Sequence, residues 1–257
     1  MLNFRNTNIL FTVLLILAIA FHILHGISFW MYPLLGFVYS LVLFYGCYYV
    51  GSNFFIPVIC FSPTDKKIIA LSFDDGPATN YTPEILAILE AEAVKAAFFC
   101  IGNRIAGNEQ LLRRLHEEGH VIGNHSYSHH FWFDMFSSRK MLADLKNMDS
   151  AMSAVTGLRP RLFRPPYGVI NPNLKKAILN GHYTPIGWNI RSLDTVIKDE
   201  DKLLKKINKA IKPGAIVLFH DTSRTTLAIL PTFIRQVKEH GYEIVRLDKM
   251  LNLHPYA

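Results

Sequence analysis

The chain is expected to be an α/β protein built on a parallel sheet, and three features of the sequence lead there. Short apolar runs alternate with amphipathic helical stretches from about residue 68 to residue 245. Six residues able to carry chemistry, Asp74, Asp75, His125, Arg164, Asp194 and His220, each follow such a run and precede a helical stretch. Crossovers place every parallel strand's C-terminal end on the same face, so a barrel would gather these side chains at one mouth. The third feature is an N-terminal stretch without Asp, Glu, Lys or Arg between Arg5 and Asp65.

That uncharged stretch assigns residues 1–64 to a membrane anchor with helices at about 9–24 and 27–50, broken at His25-Gly26. Each tract is near the ~20 residues that cross a bilayer as a helix. Trp30, Tyr32, Tyr45, Tyr48 and Tyr49 suit the headgroup level. A cleaved signal peptide is the alternative for the first tract, since Arg5, the apolar run and Ala18-Ile19-Ala20 fit one, which leaves one or two transmembrane helices.

Residues 65–257 form the second unit and hold 26 of the 27 Lys and Arg residues, Arg5 being the exception, together with every acid. Of the chain's net charge of +7, +6 therefore belongs to it, and Arg5 supplies the rest. Near a bilayer, such charge is drawn to anionic headgroups or phosphate-bearing substrates, although solvated helix faces such as residues 202–212 are the simpler explanation. No interleaving of basic and aromatic residues points to nucleic acid, and no protein partner is implied. Cys47, Cys60 and Cys100 make no disulfide framework.

The first strand is Ile68 to Phe73, an apolar run too short for a helix, ending in Asp74-Asp75-Gly76-Pro77. Thr82-Pro83 reads as an N-cap with proline at the first helical position, opening a helix to about Ala93. Ala96 to Gly102 is a strand. A helix near 110–118 stops at Gly119 and feeds the strand His120 to Gly123. The next helix, 139–156, carries Met141, Leu145, Met148, Met152 and Val155 on one stripe, a core face rather than a cofactor box, and Gly157 ends it. Arg161 to Phe163 is a short strand, Asn171-Pro172 opens a helix that stops near Gly181, and His182 to Trp188 is another extended run. A basic helix starts near Glu200, Ala215 to Phe219 is a buried strand, and a last helix at 226–240 precedes the strand Glu243 to Val245.

Two adjacent carboxylates at a strand end raise each other's pKa unless a positive charge lies between them, and a metal ion is the usual remedy. His125 and His129 supply neutral ligands: at i and i+4 they would share one side of a helical turn.

Ser-Phe-Asp-Asp-Gly-Pro (72–77), His-Ser-Tyr-Ser-His (125–129), Arg-Pro-Pro-Tyr-Gly (164–168) and Leu-Phe-His (218–220), in that order, resemble the polysaccharide deacetylases, the NodB-homology or family 4 carbohydrate esterases. The resemblance covers about residues 67–247. It implies a distorted (β/α) barrel of about seven strands and one divalent metal ion, commonly zinc, with cobalt or another divalent ion as alternatives. It also implies hydrolysis of an N-acetyl group on an amino-sugar glycan or glycolipid. Carried over residue by residue, it makes Asp75, His125 and His129 the metal ligands, Asp74 the catalytic base, Arg164 its partner, and His220 the general acid paired with Asp194. The Tyr167 backbone N–H becomes the oxyanion donor, and Leu218 lines the acetyl pocket. The family's Asp-x-x-Asp-Trp motif reads Arg191-Ser192-Leu193-Asp194-Thr195 here, either a drifted loop or a sugar subsite that has exchanged an indole for a cation, Arg191.

Two other readings compete. One is a catalytically silent carbohydrate-binding module, against which the retention of both Asp74 and His220 argues. The other is a deacylase of a lipid-linked amino sugar at the cytoplasmic face, toward which the weak charge bias of Arg5, Lys66 and Lys67 leans. The family resemblance favours a catalytic domain outside the cytoplasm.

Overall fold

A computed structural model describes residues 2–26 and 28–257; the expected start of the second apolar tract, Ile27, lies outside the described residues. The two tracts form helices α1 (Phe4–His25) and α2 (Met31–Tyr48). Both are long and apolar enough to cross a membrane. At 1.5 Å per residue they measure roughly 33 and 27 Å, bracketing a hydrocarbon core of about 30 Å.

Seven strands follow in one parallel sheet: β1 (Ile68–Asp74), β2 (Ala97–Cys100), β3 (Val121–Asn124), β4 (Leu162–Phe163), β5 (Thr184–Pro185), β6 (Ile190–Arg191) and β7 (Ala215–His220). Their order is β5-β4-β3-β2-β1-β7-β6, and β8 (Glu243–Ile244) pairs the start of β1. The sheet is curled. Arg164, just after β4, donates to Ser72 and Asp74 on β1, three strands away and so about 14 Å along a flat sheet, beyond an arginine's length. Between β5 and β6 the barrel stays open, and the segment before β1 crosses the gap by bridging Ile59 to Ile186 and Phe61 to Ala215.

Alternation along the strands decides what enters the barrel. Ile69, Leu71 and Phe73 of β1 and Ala215, Val217 and Phe219 of β7 pack in one cluster with the surrounding helices. Their neighbours Ala70 and Ile216 belong to another, interior cluster. With period 2, Ser72, Asp74, Leu218 and His220 therefore also face inward, and the register sets Ser72 opposite Leu218 and Asp74 opposite His220.

The helices between strands are α3 (Thr82–Ala91), α4 (Glu109–Glu117), α5 (Ser138–Thr156), α6 (Pro172–Gly181), α7 (Glu200–Ala210) and α8 (Arg224–Glu239). Met141, Leu145, Met148 and Met152 of α5 are fully buried, as a core stripe requires. Two expectations need correction. Thr82 does not cap α3; it is the helix's first residue, with its hydroxyl donating to Asp221 and accepting from the Ala78 N–H. Nor is α8 the last helix: α9 (Leu247–Leu251) follows β8 and sends Leu247 and Met250 into the interior cluster, a role too short for periodicity to announce.

The base of the helical hairpin is packed on the barrel. The Phe4 N–H donates to the Phe54 carbonyl, the Phe4 ring lies 5.1 Å from that of Phe55, and the Ile170 N–H donates to the Cys47 carbonyl at the end of α2.

Gly123 on β3 shows how little slack the sheet has next to the histidines: a Cβ there would lie 2.5 Å from the Phe99 ring and 3.2 Å from the Leu162 carbonyl oxygen. Gly123→Ala should therefore destabilise the protein by about 1–3 kcal/mol, read as a lowered midpoint in denaturant unfolding of the detergent-solubilised chain.

Candidate active site

The two adjacent carboxylates at the end of β1 part company. Asp74 follows the strand alternation into the barrel, where its Oδ1 accepts from Arg164 Nη1 at 2.7 Å. Asp75 adopts φ +78°, which turns its carboxylate toward the imidazoles: Oδ1 lies 3.6 Å from His125 Nε2 and 3.5 Å from His129 Nε2. The Arg104 guanidinium holds this turn by donating to the Asp75 carbonyl at 2.6 Å.

The histidines do not lie on a helical turn. After β3 the chain makes an irregular loop in which Ser126 (φ +66°) and His129 (φ +43°) are left-handed, and side chains hold it. Asn124 Oδ1 accepts from the Ser126 N–H, the Ser126 hydroxyl accepts from the His129 N–H, and Asp144 Oδ1 accepts from the N–H groups of Tyr127 and Ser128. Asn124 is fixed in turn by Asp149, whose other oxygen accepts from the Tyr183 hydroxyl. The two rings still converge, with centroids 5.0 Å apart.

One carboxylate oxygen and two imidazole nitrogens lie within 4.8 Å of one another at Asp75, His125 and His129. His125 Nδ1 is 2.8 Å from the Arg164 carbonyl, so that nitrogen carries the proton and Nε2 offers its lone pair to the cluster. Burial, and next the neighbouring His125, push the His129 pKa down to about 4, which keeps that ring neutral. Neutral imidazoles and a carboxylate are the donor set of a catalytic divalent cation, so the residues present fit one.

His220 enters the same pocket from β7. Its Nδ1 is 2.7 Å from Asp194 Oδ1, and Asp194 also accepts from Ser192, Thr226 and the His220 N–H. Burial works against charge on His220, but the hydrogen bond to Asp194 and its negative charge outweigh this and raise the pKa to about 9.

The pocket is lined by Asp74, Asp75, His125, His129, Tyr167, Arg191, Thr195, Leu218 and His220, with Arg164 and Asp194 fully buried behind them. The expected site residues thus come together. Tyr167 sits at φ +58°, its ring 4.8 Å from that of His129. Trp188 was not foreseen: it stands in the wall with Arg191, whose guanidinium lies 5.9 Å from the indole centroid. Asp221 was also missed; burial raises its carboxyl pKa to about 7, and it packs so closely on Gly76 that a Cβ there would lie 2.0 Å from its Oδ2. Only its place directly after His220 could have marked it.

The family profile described as Polysaccharide deacetylase matches residues 61–186. Among curated proteins, the chain is similar to the peptidoglycan-N-acetylglucosamine deacetylase PgdA of Listeria monocytogenes, at 34% identity over 202 residues, 79% of this chain and 42% of that protein. It is also similar to a peptidoglycan-N-acetylglucosamine deacetylase of Bacillus cereus, at 33% identity over 195 residues, 74% of this chain and 90% of that protein. The chain therefore spans less than half the length of the Listeria relative. Among solved structures, it superposes on the Bc1960 peptidoglycan N-acetylglucosamine deacetylase with a TM-score of 0.74 at 27% identity, covering 78% of this chain and 95% of that one. It superposes too on BA3943, a CE4 family pseudoenzyme from Bacillus anthracis, with a TM-score of 0.68 at 30% identity, covering 73% and 66%.

A group whose pKa is raised stays protonated through neutrality and loses its proton as pH rises through the raised value. His220 should titrate near pH 9 by NMR. In Asp194→Asn, which loses the negative charge, its midpoint should fall by about one unit or more; an unmoved midpoint would show that Asp194 does not set it.

Proposed function

Because this chain belongs to the polysaccharide deacetylase family, we propose that it hydrolyses the N-acetyl amide of an amino-sugar glycan, peptidoglycan being the class its relatives' names suggest. The observation that carries this reading is the division of labour between neighbours: Asp75 Oδ1 lies 3.6 and 3.5 Å from the two imidazoles, while Asp74 is held by Arg164 at 2.7 Å and nears His125 alone, at 3.9 Å.

A divalent ion, zinc by family precedent, would be held by Asp75, His125 and His129 and would supply Lewis-acid polarisation of the amide carbonyl and a water of lowered pKa. The chain's own groups do the rest. Asp74 accepts the proton of the attacking water, held in position by its pairing with the buried Arg164 guanidinium. As the new C–O bond forms and the C–N bond breaks, His220, protonated through its pairing with Asp194, delivers a proton to the leaving nitrogen. The products are acetate and a free amine. The Tyr167 backbone N–H would meet the developing oxyanion, Leu218 the acetyl methyl, and Trp188 would offer a flat face to a sugar ring.

We read α1 and α2 as a membrane-spanning hairpin, with the catalytic part outside the cytoplasm where finished polysaccharide lies. A lipid-linked amino sugar at the cytoplasmic face is the second reading; the packing of the hairpin base on the barrel suits a lipid-linked substrate on either face. The likeness to BA3943 keeps a silent binding module in view; an intact base and acid speak against it.

The test is acetate release by the purified, metal-loaded full chain from acetylated glycans, peptidoglycan fragments and lipid-linked amino sugars. Release from none of them would overturn the reading. Asp74→Asn and His220→Ala should each lower turnover at least ~100-fold with metal content unchanged. Loss of metal in Asp74→Asn would mean that the ligand and base roles are misassigned.

Arg191 has no carboxylate within salt-bridge distance among the described residues, and Lys206, bound to its carbonyl, adds a second cation beside it. If it meets an anionic part of the substrate, Arg191→Ala should raise KM more than it lowers kcat, and added salt should shrink the difference. An unchanged KM at low salt would leave Arg191 without a substrate role.

A further inference from the structure

The loop after the second histidine carries side chains that the chemistry does not use. Phe131, Trp132 and Met135 are 72%, 60% and 77% exposed, while Phe133 between them is fully buried. Single exposed apolar residues are ordinary, but three large ones projecting from a five-residue stretch form a patch that calls for a partner. Basic side chains border it: Arg139 and Lys140 are exposed at the start of α5, and Lys175 is exposed on α6. The start of α6 is bound to the loop, as Asn171 Nδ2 donates to the Asp134 carbonyl at 2.7 Å and Asn173 Nδ2 to that of Phe136.

The patch has a fixed place relative to the helical hairpin. Phe133 and Phe136, which anchor the loop from inside, share one apolar cluster with Phe4 of α1 and with Val42, Leu43 and Cys47 of α2. Ile170, the residue before Asn171, donates its N–H to the Cys47 carbonyl. The loop thus stands at the level where α1 begins and α2 ends. If the hairpin spans a bilayer, that is the level of the headgroups.

We propose that residues 131–140 make a second, interfacial membrane contact: Phe131, Trp132 and Met135 enter the boundary between headgroups and acyl chains, and Arg139, Lys140 and Lys175 meet anionic lipid phosphates. Aromatic rings with lysine and arginine around them are the side chains that bilayer interfaces favour. Continuity with the hairpin base selects a bilayer over a protein as the occupant, and the proposal rests on the reading of α1 and α2 as membrane spans. Its consequence is positional. Phe131 lies two residues after His129, whose carbonyl accepts from the Tyr167 hydroxyl, so a loop seated in the interface holds the pocket beside the headgroups.

The experiment uses the full chain in nanodiscs containing anionic lipid, with and without lipids brominated near the headgroup end of their acyl chains. Tryptophan emission is compared for the parent, Trp132→Phe and Trp30→Phe. Trp30, 79% exposed at the turn between α1 and α2, reports on the hairpin, and Trp188 is common to all three proteins. The component lost in Trp132→Phe should be quenched about twofold or more by brominated lipid, and less so in the Phe131→Ser/Met135→Ser variant. Quenching of the Trp30 component without that of Trp132 would overturn the proposal and leave the hairpin standing. If neither is quenched, the membrane reading fails and the contact falls with it.

Discussion

A guanidinium with no exposure to solvent organises this molecule. Taking the charge of Arg164 out of water costs several kcal/mol unless each of its donors finds a partner, and the partners come from around the barrel. Nη1 donates to Ser72 and Asp74 on β1, Nη2 to the Gly187 carbonyl and Nε to the Ile186 carbonyl beyond β5, and the planar group lies 4.0 Å over the Phe99 ring of β2. The requirement that satisfies the buried cation also curls the sheet and fixes Asp74. The carbonyl of the same residue accepts from His125 Nδ1, so one position couples the Asp74 carboxylate to the set that could hold an ion.

Around that residue lie five of the nine non-glycine residues that take positive φ among the described residues. Asp75, Ser126, His129, Tyr167 and Leu193 all take positive φ without being glycine, and each lies in a loop that lines or supports the pocket. Such conformations cost on the order of 1–3 kcal/mol each and persist only when neighbours over-determine them. Here the neighbours are visible: Arg104 on the Asp75 carbonyl, Asp144 under the histidine loop, and Ser192 and Thr226 on Asp194.

Strand and helix order was legible in the sequence because period and caps are local: β1, β7 and the α5 stripe follow from alternation and from spacings of three and four. The expected site residues were legible because each follows an apolar run. What stayed hidden acts across long separations. Asp144 and Asp149 sit on the α5 stripe's polar flanks and look like solvated helix residues until the fold sets them under Asn124 and Tyr127. Trp188 lies only three residues before Arg191, but nothing in the run from His182 marked it as a pocket wall and not a core residue. The i, i+4 spacing of His125 and His129 was right about convergence and wrong about its cause, because a helix would have needed no help from Asp144.

The segment joining α2 to β1 is not a loose tether. Val50, Phe54, Phe55, Ile56, Val58 and Cys60 are buried in it, each contributing up to about 1.5–3 kcal/mol for a full side chain. Val50, Val58 and Cys60 press on Gly187 so closely that a Cβ there would lie 2.6 Å from the Cys60 sulfur. The Gly187 carbonyl is a partner of Arg164, and Arg164 holds Asp74. A continuous packed path therefore runs from the base of the helices through Val50, Gly187 and Arg164 to the candidate base. Cutting the chain between α2 and β1 would remove part of the wall that keeps Arg164 dry, so the helices and the barrel are one mechanical unit.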